Sequence, residues 1–63
     1  MMIPVNSSAI AAVGYDGYYL YVQFRTSNTI YTHPAVPEAV YHGLMSAPSM
    51  GAFYNKNIRG KYK

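Results

Sequence analysis

Asn55 and Arg59 stand four residues apart in the string Ser49-Met50-Gly51-Ala52-Phe53-Tyr54-Asn55-Lys56-Asn57-Ile58-Arg59. On a helix that spacing puts both side chains on one face. A guanidinium offers a planar fork to a phosphate or carboxylate. An amide both donates and accepts, so it can read a base or ribose edge. Ala52 beside them leaves room, and Lys56 adds a second positive charge. Ser49, Met50 and Gly51 would open the same helix, where free N–H groups attract anions. The two groups lie about a turn or more apart, so only an extended ligand would touch both. The competing explanation is structural, with Ser49 as a cap, Gly51 as a close-packing residue and Asn55, Lys56 and Arg59 as a solvated face.

Catalytic and metal chemistry have fewer supports. Asp16 and Glu38 are the two acids of the chain, and each has a local structural explanation, a turn and a helix start. Ser7, Ser8 or Ser49 would need a base to act as a nucleophile, and His33 and His42 are distant in sequence. There is no cysteine, which excludes disulfides and thiolate metal sites. The sequence is read as non-enzymatic, with no catalytic residue, metal or cofactor assigned.

The elements that would position these residues follow from turns and periodicity. Asp16-Gly17 is a tight-turn dipeptide. After it, Tyr18 to Arg25 alternates as a strand, with Tyr18, Leu20, Val22 and Phe24 on one face and Tyr19, Tyr21, Gln23 and Arg25 on the other. Ile10 to Tyr15 is its hairpin partner. Thr26-Ser27-Asn28 makes a second turn into a third strand, Thr29 to His33. Pro34 ends the sheet, and Pro37 with Glu38 starts a helix whose inward stripe is Pro37, Val40, Tyr41 and Leu44. Pro48 stops it. Ser49 caps a second helix over Met50 to Arg59, with Met50, Tyr54 and Ile58 inward and Gly60 as its C-cap. The expected fold is α+β, a three-stranded antiparallel meander followed by two helices packed on one face.

That arrangement leaves the other sheet face uncovered. Tyr19, Tyr21 and Arg25, with Tyr31 and His33 from the third strand, are expected there as a surface for self-association or base stacking. At 63 residues the chain is one small domain, spanning 1–63, with a frayed basic tail at about 60–63 carrying Lys61, Tyr62 and Lys63. A domain of this size buries only ~60% of its unfolded surface. With no disulfide or metal to help, a homo-oligomer is expected. Eight tyrosines and two phenylalanines oppose disorder, and a net charge of +3 mildly favours anionic partners. No apolar run approaches the ~18 residues of a membrane span, and the N-terminus lacks a basic leader region. A cytoplasmic protein is expected.

Taken together, "VNSSAIAAVGYD" (5–16), "LYVQF" (20–24), "IYTHPAVPEAVYHGLMSA" (30–47) and "SMGAFYNKNIRGKY" (49–62) resemble the KTSC domain family. That family is named for a short module at the C-terminus of some lysyl-tRNA synthetases. The resemblance implies a free-standing single-domain member, as found in bacteria and their phages, and brings no enzyme with it. The chain departs from the family pattern at Ser27-Asn28, where a glycine is frequent, and at His33, where a tyrosine is common. Asn tolerates the left-handed conformation that such a turn requires.

The residues and the resemblance give one leading expectation: a homo-oligomeric binding protein that takes an anionic, nucleotide-type ligand through Arg59 and its neighbours. Two alternatives are an RNA-binding, tRNA-associated module and a protein-interaction modulator docking through its tyrosines.

Overall fold

The computed structural model describes residues 2–27 and 29–62 and runs β1 (Met2–Pro4), β2 (Ile10–Tyr15), β3 (Leu20–Phe24), β4 (Ile30–His33), α1 (Glu38–Ser46) and α2 (Met50–Phe53). Without a break, α2 passes into a π-helical turn, Tyr54–Ile58. The strands form one antiparallel sheet in the order β1-β2-β3-β4. The molecule is thus a small α+β domain, an antiparallel sheet followed by helices, but with four strands where three were expected. The additional strand is β1, whose Ile3 pairs with Val13 and whose Pro4 pairs with Ala12. Proline lacks a donor for the ladder, which suits this edge position. Among the described residues, no helix is long and apolar enough to cross a membrane.

The β2–β3 connection shows why Asp16-Gly17 turns the chain. The Asp16 carboxylate accepts from the amides of Tyr18 and Tyr19 at 2.9 and 2.7 Å, and Gly17 takes a φ of +97°. The turn extends through Tyr19, so β3 begins at Leu20. Asn28, in the second turn, lies outside the described residues.

Alternation along β3, and a register shift between Ile10 and Ala12 that brings Ile10 and Val13 to one face of β2, build the core. Ile10, Val13, Leu20 and Val22 are fully buried and meet Val36, Leu44, Tyr54 and Ile58. Apolar burial of this kind contributes about 1.5–3 kcal/mol per large side chain. Val36 is drawn in by two contacts from the sheet side: its amide donates to the Tyr18 carbonyl at 2.9 Å, and its carbonyl accepts from the Tyr15 hydroxyl. Ala35, just before it, adopts a left-handed φ of +57° to make that entry.

The helices end where the prolines and caps require. Pro37 is the N-cap of α1, and Ala47 leaves it extended, ahead of Pro48. The Ser49 hydroxyl accepts from the Ala52 amide at 3.4 Å. The second helix differs from expectation in its winding. The Arg59 amide bonds back to the Tyr54 carbonyl at 2.8 Å, five residues earlier. The Asn57 side-chain amide donates to the Phe53 carbonyl at 3.3 Å.

Two placements are corrected. His33 was expected on the uncovered sheet face, yet β4 pairs His33 with Leu20 and Tyr31 with Val22. Both therefore point to the helix side, because directly opposed residues share a face. His33 is 9% exposed. Gly60 takes a φ of +83°, and the Tyr62 carbonyl is bonded to His33, so this stretch turns back onto the domain. Lys63 lies outside the described residues.

Candidate functional site

A cleft of about 520 Å³ opens between the end of the β3–β4 hairpin and the π-helical turn. Its aromatic side comes from sheet positions whose parity turns them toward the helices. Phe24 meets Tyr31 edge to face, with centroids 5.5 Å apart, and meets Tyr54 the same way at 5.1 Å. Such contacts are preferred by the ring quadrupoles and hold the rings in defined orientations. Tyr31 remains 46% exposed, so much of its ring is free.

The cleft floor is a polar pair. The Tyr62 carbonyl lies 2.8 Å from His33 Nδ1, and the Tyr54 hydroxyl lies 2.7 Å from Nε2. A carbonyl can only accept, so Nδ1 carries the proton. In the neutral ring Nε2 then accepts from the Tyr54 hydroxyl. The Tyr54 phenol is pushed above its ordinary pKa chiefly by burial, with Tyr31 adding to the effect and the Arg59 guanidinium opposing it. The Tyr54 phenol stays neutral near pH 7, and the two hydrogen bonds position both rings.

The rim carries the charge. Arg59 and Asn55, Thr26 and Ser27 line it, and an Arg59 guanidinium N–H donates to Asn55 Oδ1 at 3.4 Å. The i,i+4 relation holds across the wider π turn, and the amide steadies the cation. Among the described residues, neither acidic side chain pairs with Arg59. Asp16 is engaged in its own turn, and Glu38 pairs with His42 at 3.2 Å. A guanidinium lining one cleft with aromatic rings can take an anion attached to a flat group.

The expected ligand-binding set therefore divides. Asn55 and Arg59 share this cleft with Tyr31 and His33, two residues expected on the opposite face. Ser49 lies instead in a second groove of about 400 Å³, between the β1–β2 loop and the α1–α2 junction, where no charged side chain contributes. Gly51 is a packing residue, since a Cβ there would stand 3.1 Å from the Ala9 methyl. Lys56 is exposed and lines neither hollow.

Tyr21 points away from the helices, paired with Gly14 and Thr32, and the Tyr19 ring lies 6.3 Å from its own. The Tyr21 hydroxyl donates to Asp16 at 3.3 Å. The Arg25 guanidinium donates to the carbonyls of Ser7 and Val5, holding the β1–β2 loop. Phe24, Thr26, Ser27 and Tyr54 are cleft residues that sequence reasoning did not select. Phe24 and Tyr54 were readable from their inward parity, whereas the two hydroxyls carried no signal.

Neither imidazole is hydrogen-bonded to a serine hydroxyl among the described residues; the Ser7 hydroxyl accepts from the amides of Ala9 and Ile10. Among those residues there is also no group of three or more potential metal ligands.

Comparison with known proteins agrees with this architecture. The KTSC domain family profile matches residues 6–62. A protein of Tsukamurella paurometabola is 36% identical over 63 residues, covering 98% of this chain and 94% of its own. The crystal structure of a KTSC domain protein from Yersinia pestis superposes with a TM-score of 0.93 at 38% identity, covering all of this chain and 90% of that one.

Proposed function

This chain belongs to the KTSC domain family, and we propose that it acts as a non-enzymatic binding protein for an anionic, nucleotide-type ligand held in the Arg59 cleft. The observation that carries this reading is a guanidinium, steadied by Asn55 and unpaired with Asp16 or Glu38, lining one cleft with the exposed ring of Tyr31. In it Arg59 takes the phosphate, Tyr31 and Phe24 offer ring surface to the base, and Asn55, Thr26 and Ser27 supply edge and ribose contacts. The open sheet face is the weaker candidate for base stacking. Its arginine spends two donors on backbone carbonyls, which hold it toward the β1–β2 loop, and Asp16 sets a negative charge beside Tyr21.

Calorimetric titration with a panel of mononucleotides tests the proposal. Saturable binding is expected, weakened about 10- to 100-fold by Arg59→Ala, which removes hydrogen bonds from a charged donor. Tyr31→Ala is expected to weaken it by a similar factor through lost stacking. Binding that Arg59→Ala leaves unchanged excludes this cleft. An RNA ligand, favoured by the net positive charge, is distinguished by salt: its affinity falls steeply between low and physiological concentration.

A further inference from the structure

The open face of the sheet has an unusual composition. Strand pairing puts Met2 and Pro4, Ala12 and Gly14, Tyr21 and Gln23, and Ile30 and Thr32 on the side away from the helices, and the Tyr19 ring lies beside Tyr21. None of these is charged. A solvated sheet face ordinarily presents polar residues at these alternating positions. Here Ile30 is 47% exposed and Tyr19 40%. Among the described residues, the charged side chains nearest this face stand at the two ends of β3. Asp16 lies at its start, against Tyr21, and Arg25 lies just past its end, with the parity of the open face.

We propose that this face is the interface between two copies of the chain, packed sheet to sheet with their strands reversed, so that Asp16 of each copy lies toward Arg25 of the other. A two-fold axis lying in the interface, perpendicular to the strands, produces this reversal and makes the contact self-complementary. Two copies aligned in the same direction would oppose like charges instead. Arg25 uses two of its donors on the Ser7 and Val5 carbonyls, and a guanidinium has five. The area is also suitable. A stable interface takes ~800 Å² per partner, about a fifth of this chain's 4051 Å² surface. One broad face of a body measuring 25 × 22 × 20 Å provides roughly that share. The helix-side cleft remains accessible in such a pair, so the proposal stands independently of the ligand reading.

The test is analytical ultracentrifugation of the full chain across protein concentration. A species of twice the 7.0 kDa chain mass is expected. In the reversed packing β4 crosses its own copy, bringing Ile30 near the partner's Thr32. Ile30→Lys and Thr32→Glu should each raise the dimer dissociation constant about 100-fold, by burying an unpaired charge. The double variant should recover the dimer through the new charge pair. Circular dichroism on each variant separates dissociation from unfolding, and where one unfolds the charge-reversed pair Ile30→Glu and Thr32→Arg takes their place. A monomer, any other assembly size, or a folded variant that stays fully dimeric overturns the proposal. A double variant that remains monomeric overturns the reversed arrangement. Partner proteins or RNA found on this face of a monomeric chain overturn it as well.

Discussion

At the scale of single residues, His33 has a structural role that its type alone does not reveal. Its two nitrogens join β4 to the π-helical turn and to the tail, through the Tyr54 hydroxyl and the Tyr62 carbonyl. Tyr54→Phe leaves Nε2 buried without a donor. Loss of about 1–2 kcal/mol is expected in chemical denaturation, more than an exposed hydroxyl would cost. An unchanged midpoint would mean that water replaces the phenol. Asp16 makes a different kind of prediction. The amides of Tyr19 and Tyr18 hold its carboxyl below the ordinary pKa, with a further contribution from the Tyr21 hydroxyl. A depressed folded pKa adds stability above the unfolded value of about 3.9, and that contribution is lost as pH falls through the folded pKa. Wild type should therefore exceed Asp16→Asn in melting temperature at neutral pH, with the gap closing below about pH 4. A gap that persists undiminished to pH 2 would assign the effect to geometry instead of charge.

At the scale of elements, the signals that worked were local ones. Asp16-Gly17 marks its turn, Pro37 and Pro48 bracket α1, Ser49 caps α2, and the Tyr54–Ile58 stripe faces the core. What escaped is set by pairing at a distance. β1 is three residues ending in proline, and it exists because β2 offers an edge. The register of β3 against β4 depends on a connection that alternation does not count, and that register moved Tyr31 and His33 to the cleft side. The π turn adds one residue to a helical turn, too small a change for periodicity to register over five positions. Such turns recur at functional sites, and this one carries Asn55 and ties the Arg59 amide back to the Tyr54 carbonyl. The link before α1 offers a direct test of local strain. Ala35 holds a φ of +57°, which costs a residue with a Cβ roughly 1–2 kcal/mol. Glycine removes that cost but adds about 0.4–1 kcal/mol of unfolded-chain entropy. Ala35→Gly should therefore be mildly stabilising, by about 0.5 kcal/mol, and raise the melting temperature by about 2–4 °C. A clear destabilisation would show that the Ala35 methyl contributes packing that outweighs the strain.

At the scale of the whole molecule, size governs stability. A chain of 63 residues with no cysteine has few internal means of reinforcement. If its open sheet face is closed by a second copy, folding and association are one equilibrium, and stability depends on protein concentration. Each tenfold dilution removes about 1.4 kcal/mol per dimer, or about 0.7 kcal/mol per chain. For a domain of this length that lowers the melting temperature by about 3–5 °C. Scanning calorimetry over two decades of concentration should show the full drift in wild type and a flat line in Thr32→Glu. Adding the cleft ligand at 100 times its dissociation constant should raise both curves in parallel, by about 2.7 kcal/mol per site. Drift of equal size in both proteins would place self-association on some other surface. A flat wild-type line would show that the monomer is stable alone, with the tyrosine-lined face left in water.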